Sequence, residues 1–442
     1  MKRIFNDFAY TDAPREDCWW DQTCAATDRS ALEGDVSCDV AIVGGGFTGL
    51  SAALRLAEAG YSAVVLENRY VGWGASGRNG GFCCLGGGRL SDAALDKLAG
   101  REDRLRFRAA ELAAINFVDA LITRHGIEVD RHSDGEIELA HRPKDMDDFR
   151  TRAREVRENY GLEARLIDPA DFTAHGLSGP FHGALHIPAG FALNPRKYVT
   201  GFAAAAEKAG AVIYHDTPAL EVRQAAQGHD VRTPNGRVRA QKVIVATNGY
   251  SSEDLVPGLS ARYMPTQSTV LVTRPLTEAE LDAAGWKSDY MSADTRNLLH
   301  YFRLMPDRRM LFGMRGGLVT GKAAEARAIA RVRRDFEKFF PAWKDVETPY
   351  QWSGMVCLSR AQMPFVGKLP DPGAVYASLC YHGNGVAMGS YSGGLVADLV
   401  MGKPIDRPYP QVMQKPLRKF ELGRLRRLLM PFAYLGFALS DH

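Results

Sequence analysis

The chain has 442 residues, 45% hydrophobic and 24% charged, with a net charge of +3. This composition excludes a disordered chain, gives length enough for two domains, and is too mildly basic for nucleic-acid binding, which needs a concentrated basic face. The seven cysteines (Cys18, Cys24, Cys38, Cys83, Cys84, Cys357, Cys380) are odd in number and lack paired C-x-x-C spacing, so neither a disulfide framework nor a metal site is indicated and a cytoplasmic protein is expected. In chain order, Asp7, Asp12, Glu16 and Asp17 interrupt the N-terminal region where a signal peptide needs an apolar run. No charge-free apolar stretch of about 18 residues follows, so no transmembrane helix is expected.

The run CDVAIV at 38–43 reads as a buried strand that ends in GGGFTG. LSAALRLAEAG then has apolar residues at helical spacing and closes on Gly60, and YSAVVLE at 61–67 is a second strand. This is a β-α-β unit for a parallel sheet. Helices are expected at 101–125, 144–160 and 194–210, the last opened by Asn194 and Pro195, with a strand in GEIELAHRP at 135–143. Strands AVIYH, ALEVRQ and VRAQKVIVA follow, then alternating stretches between 260 and 320 that predict an antiparallel sheet. Residues 374–402 read again as strand, glycine turn and helix. The predicted fold is mixed α/β in two discontinuous domains. A Rossmann-type cofactor domain takes 1–90, 190–255 and 350–442; a substrate domain takes 91–189 and 256–349.

The strongest local signal is Gly44-x-Gly46-x-x-Gly49, with Phe47 and Thr48 inside it. Gly44 permits a tight turn, Gly46 lets backbone approach a pyrophosphate, and Gly49 allows close packing of helix on strand. Glu67, 18 positions after Gly49, falls where a carboxylate accepts from an adenosine ribose and repels a 2′-phosphate. These residues predict a dinucleotide without separating NAD from FAD. GASGRNGGFCCLGGG at 74–88 is either a redox or metal site built on adjacent thiols, or a ligand-seating loop whose cysteines are incidental.

The ordered set DVAIVGGGFTGLSAALRLAEAGYSAVVLENRYVGWGASGRNGGF, GFALNPRKYVTGFAAAAEKAGA, KVIVATNGY, YFRLMPDRRMLFGMRGG, MPFVGKL and YHGNGVAMGSYSGGLVADLVMG resembles the FAD-dependent amine and amino-acid oxidoreductases of the D-amino acid oxidase type. It is most similar to the gamma-glutamylputrescine oxidoreductase group. The resemblance implies FAD bound by Gly44, Gly46, Gly49 and Glu67, and by Ala75, Ser76, Gly77, Arg78 and Asn79 along the pyrophosphate and ribityl chain. Gly80 and Gly81 would lie along the ring, Val222 near the adenine, and Ala246 and Thr247 at a second contact. Gly383, Asn384, Gly385 and Val386 would set a helix N-terminus at the flavin pyrimidine, where it stabilises negative charge. His300, Tyr301, Arg303, Arg315 and His382 are the expected catalytic set, offering donors to a substrate carboxylate or a flavin oxygen.

The implied activity is oxidation of a C–N bond in an amine or amino acid (a gamma-glutamylated amine, a secondary amine or a D-amino acid). Hydride passes to flavin N5, the imine is hydrolysed, and electrons leave to O2 or another acceptor. Cys357 lies in the region where some relatives attach FAD, offset from that pattern, so noncovalent FAD is expected. Cys83 and Cys84 are expected to pack beside the flavin. Where oxygen-using sarcosine oxidases carry a lysine this chain has Leu311, which argues against rapid use of O2. The basic and apolar tail from Lys415 is expected to pack on the body, with a membrane-surface helix as the alternative. The rival to an enzyme is an FAD-binding electron-transfer or redox-responsive protein without its own metabolite substrate; a polar-lined pocket would favour the enzyme.

Overall fold

The computed structural model describes residues 1–317, 319–371 and 373–441. The β-branched run at 38–43 falls in β1 (Val36–Val43), which is fully buried from Val40 onward and pairs in parallel with β2 (Ala63–Leu66) and β11 (Arg237–Val245). Parallel strands need a crossover, and α1 (Phe47–Glu58) provides it. β8 (Val212–Tyr214), β18 (Val375–Leu379) and β17 (Phe365–Lys368) complete the order β17-β18-β11-β1-β2-β8, and the hairpin β9 (Glu221–Gln224) and β10 (His229–Arg232) leaves it at β11. Against α1 pack α5 (Pro195–Lys208) and α8 (Ala387–Met401). Asn194 caps α5 by accepting from the Arg196 and Lys197 N–H groups, with Pro195 in the first turn, as the sequence predicts.

The second sheet runs β16 (Tyr350–Ser359), β12 (Tyr263–Val272), β15 (Met310–Arg315), β14 (His300–Leu304), β13 (Met291–Asp294), β4 (Glu136–Leu139), β6 (Ala184–Ile187) and β5 (Arg165–Ile167). It is antiparallel except that β13 and β4 run parallel. Helix α7 (Lys322–Phe339) covers one face through Val332, Phe336 and Phe339, which pack on Phe302 and Phe312. The short pair β3 (Phe82–Cys83) and β7 (Phe191–Ala192) ties the glycine-rich loop to the segment before α5. Helices α2 (Asp92–Ala99), α3 (Arg101–His125), α4 (Asp145–Tyr160), α6 (Glu278–Ala284), α9 (Gln411–Gln414) and α10 (Met430–Ser440) complete the chain.

Two details depart from the expected division. β16 pairs with β12 along its whole length, so 350–359 belongs to the antiparallel sheet rather than with the cofactor segment 350–442. Helix α3, expected in the substrate domain, buries Phe107, Val118 and Leu121 in the same core as α1 and α8. In both cases long-range pairing decides the membership, which local patterning does not encode.

The C-terminal tail is anchored and buries Leu417, but it leaves most of its apolar side chains exposed. Arg426 donates to Glu253 at 2.7 Å in a fully enclosed ion pair, and Asp441 accepts from the Asn297 side chain at 2.7 Å. Between them Phe432 is 75% exposed and Leu435 60%. Among the described residues no helix is long and apolar enough to cross a membrane.

Candidate active site

The two sheets face each other across one cavity of about 400 Å3. The turn after β1 forms one end. Gly44 has φ +110°, and a Cβ there would lie 2.9 Å from the Ala246 carbonyl oxygen, so only glycine lets β1 and β11 close together at this point. A Cβ on Gly49 would run into the Gly44 carbonyl. Glu67 stands at the end of β2, where its carboxylate accepts from Gly45 N–H at 2.7 Å and Arg69 N–H at 3.1 Å. Burial pushes its pKa above the ordinary value. No cation pairs with it within ion-pair distance among the described residues, and it remains on the cavity wall as an acceptor.

The wall continues through Gly46, Phe47, Thr48, Ala75, Ser76, Arg78, Asn79 and Gly80, then Ala246 and Thr247, and ends at Gly383, Asn384, Gly385 and Val386. The polar side chains of the loop are spent on its own shape. Ser76 Oγ accepts from Phe47 N–H at 3.0 Å; Asn79 donates to the Ala75 and Ser76 carbonyls and accepts from Gly81 N–H. Arg78, expected on a phosphate, is buried over the Trp73 ring and donates to the Trp73 and Ser353 carbonyls, bracing the loop against β16. Gly49, Gly77 and Gly81 lie behind the wall. Val222 is also off the wall, its N–H bonded to the Leu255 carbonyl, and Pro218 and Ala219 line that end instead.

The antiparallel sheet forms the roof, and strand alternation decides what reaches it. Tyr301 on β14 points into the cavity over Gly80, where a Cβ would sit 3.0 Å from its ring. Its hydroxyl shares a 2.9 Å hydrogen bond with Ser268, and burial raises its pKa. Arg315 on β15 comes against Gly383, and a Cβ there would clash with its guanidinium. Among the described residues Arg315 has no ion pair and no side-chain hydrogen bond; its titratable neighbours are Arg89, Tyr301, Cys84 and Tyr434, and burial lowers its pKa to about 10.

Three of the five residues expected in the catalytic set lie elsewhere. His300 is one position out of register with Tyr301 and points through the opposite face, among Phe312 and Phe339, where it pairs with Asp294 at 2.9 Å and Asp335 at 3.3 Å. Arg303 is sealed beneath the loop, donating to the Gly80 and Leu193 carbonyls at 2.9 and 2.8 Å. His382 accepts from Ser359 N–H and meets the Gly87 carbonyl, and burial takes its pKa to about 4, so it is a neutral strut for the turn before α8. Leu311 packs with Trp20, Val270 and Trp352 off the cavity.

Residues the motif reading passes over complete the wall: Glu136 and Glu138 on β4, Met291 and Ala293 on β13, and Ser268 on β12. The alternation in EIEL, carboxylates at 136 and 138 with Ile137 and Leu139 between, was the available signal. Cys84 also lines the cavity, donating to Asn384 Oδ1 at 3.1 Å, whereas Cys83 points into the core. Burial raises both thiols, so neither is a nucleophilic thiolate, and all seven cysteines are free. Cys357 lines the cavity with its sulfur 3.6 Å from that of Cys380. Among the described residues no three His, Cys, Asp or Glu side chains gather as a metal site.

A phosphate-turn end with a carboxylate at the second strand, a glycine-lined channel and a helix N-terminus at its far side form a cradle for an extended dinucleotide under a substrate roof. Residues 39–399 match the DAO family, FAD dependent oxidoreductase, and the chain belongs to that family. It is similar to gamma-glutamylputrescine oxidoreductase of Escherichia coli (strain K12), 32% identical over 92% of this chain and 93% of the relative. It is also similar to glycine oxidase of Geobacillus kaustophilus, 25% identical over 83% of this chain and 93% of the relative. The crystal structure of glycine oxidase from Geobacillus kaustophilus shares the fold, with a TM-score of 0.69 and 22% identity over 84% of this chain and 96% of that one. L-amino acid deaminase from Proteus myxofaciens has a TM-score of 0.70 at 17% identity, covering 88% and 96%. The protein is thus an FAD-dependent oxidoreductase. Its cavity fits the cofactor: Glu67 offers an acceptor with no charge partner, and the glycine channel leaves clearance that side chains at Gly46 and Gly80 would fill.

Proposed function

We propose that this enzyme oxidises a C–N bond of an amine or amino acid, binding the substrate's carboxylate at Arg315. The observation that carries this reading is the Arg315 guanidinium, enclosed under the roof without an anionic partner among the described residues and directed at the same cavity as the glycine channel. A buried cation without a counter-ion is costly, and a bidentate carboxylate offsets that cost. Bound FAD supplies the two-electron acceptor for the reaction. The chain's own work is positional. Arg315 fixes one end of the substrate, Tyr301 and Ser268 present neutral hydroxyls beside it, and Phe82 packs edge-on against Tyr301 to exclude water. At the floor, Gly385 and Val386 open the 15-residue helix α8, whose first-turn N–H groups have no intrahelical partner and whose dipole favours negative charge.

The reading is supported by the relatives' activities on amines and amino acids and by the few polar groups, Arg315, Tyr301 and Ser268, that converge in a mainly apolar cavity, an arrangement an electron-transfer protein does not need. FAD is held noncovalently, electrons leave to O2 or another acceptor, and a cytoplasmic setting fits the free thiols. The test is anaerobic mixing of the yellow protein with gamma-glutamylated amines, N-methyl amino acids and D-amino acids. Bleaching by one class identifies it as the substrate; flavin left oxidised by all three overturns the reading.

A further inference from the structure

The roof carries opposite charges at its two ends. Arg315 stands on β15, and Glu136 and Glu138 stand on β4, three strands away through β14 and β13. At ordinary strand spacing this sets the two backbones about 14 Å apart across the same face. Register places the pair deliberately on one surface: Glu138 is opposite Ala293 and Glu136 opposite Met291, both of which line the cavity, and Ala293 is opposite Tyr301. Glu138 has Arg152 at 3.8 Å as a loose partner. Glu136 has no cation within ion-pair distance among the described residues. Its neighbour is Cys84, whose thiol also feels Arg315 from the other side and donates to Asn384. Beyond Glu138 lies an adjoining depression of mixed charge, where Arg152 stands between Glu138 and Glu155 at 3.8 Å from each and Arg142 and Arg296 also line the wall.

An enclosed guanidinium and an enclosed carboxyl group, each without an ion-pair partner among the described residues and held too far apart to neutralise one another, form a site for a ligand carrying the complementary charges at matching separation. We propose that Glu136, assisted by Glu138, binds a second ammonium group of the substrate, so that the enzyme selects molecules with a carboxylate at one end and an extra amine at the other. The inference rests on the Arg315 reading above and extends it to the distal end. Glu136 acts as a specificity residue: an ammonium there pairs with it and draws it into the ionised form, whereas an apolar chain end gives its enclosed carboxyl group no partner.

The test uses the purified holoenzyme and isosteric pairs that differ only in that charge, ornithine against norleucine and lysine against 2-aminoheptanoate, each as the racemate. Binding is read from perturbation of the visible flavin spectrum, and turnover from anaerobic bleaching. The diamino acids are expected to bind at least about tenfold more tightly than their isosteres. Glu136→Gln should erase that preference, bringing the two members of each pair to within about twofold of one another. Glu136→Asp should restore part of it, which separates lost charge from disturbed folding. Equal affinity of wild type for both members of a pair, or a preference that survives in the Glu136→Gln, Glu138→Gln double variant, overturns the inference while the C–N oxidation reading stands. Failure of every amine class to bleach the flavin overturns both.

Discussion

At the scale of single residues, Arg315 and His300 show how a one-position difference in strand parity separates a binding group from a structural one. Arg315→Met is expected to raise KM for carboxylate-bearing substrates by about 100-fold, the loss of roughly 3 kcal/mol of charge-assisted hydrogen bonding. Uncharged amines should be affected far less; steady-state kinetics on matched acid and amide substrates checks it. His300→Asn should leave those constants within about twofold and instead destabilise the fold by about 3 kcal/mol, because it breaks a buried cluster with Asp294 and Asp335.

The pH dependence of that cluster follows from two signs. His300 is raised by its two carboxylates against its burial, so its contribution is complete below about pH 6.5 and is lost as pH rises through the folded value. Asp335 is held down to about 2 by His300 and Lys338, so its contribution is complete above about pH 4 and is lost as pH falls toward 2. The Tm difference between wild type and His300→Asn should therefore be larger at pH 5.5 than at pH 9.

Glu136 titrates in the opposite sense. Burial first, then Glu138, raise it to about 8, with Glu111 adding to the rise and Arg152 and Cys84 opposing it. A cationic ligand needs the ionised form, so affinity for a diamino acid should climb as pH rises toward 8 and level off above it. The isosteric monoamino acid should lack this dependence, and spectral titration at several pH values checks the contrast.

At the scale of elements, the glycine-rich loop is held in place by arginines rather than offering them. Arg303 donates from β14 to the Gly80 and Leu193 carbonyls, and Arg78 braces the same loop on Trp73 and Ser353. Arg303→Met is expected to leave those carbonyls under-satisfied at about 1–3 kcal/mol each. The loop should then loosen and the protein lose FAD more readily, as a lower flavin-to-protein absorbance ratio after gel filtration. Helix α10 crosses the roof with Tyr434 beside Arg315 and Gly316.

At the scale of the molecule, the two sheets share the walls of one cavity, so cofactor occupancy and stability are coupled. A ligand that binds only the folded state stabilises it by about 2.7 kcal/mol at 100 times its Kd. Flavin-stripped protein should melt lower and recover on adding FAD. Acid precipitation should leave the yellow colour in the supernatant, and Cys357→Ala should retain its flavin; colour in the pellet would mean covalent attachment.

The parts of the fold carried by local pattern were legible in the amino-acid order. The apolar run at 38–43, the glycine turn, the helix and Glu67 each follow from short-range constraints, as do the capped α5 and the alternating strands. The α7 helix was not legible although Val332, Phe336 and Phe339 recur at helical spacing, because the charged residues that make up half of it hide the stripe. The sequence by itself determined the dinucleotide-binding half, since a tight turn, a close backbone approach and a helix start are properties of neighbouring residues. Only the tertiary structure decided the substrate wall. Whether Tyr301 or His300 faces the cavity, and that Glu136 shares it with Arg315 from 179 positions away along the chain, depend on strand register and on the parallel joining of β4 to β13, which no local interaction specifies.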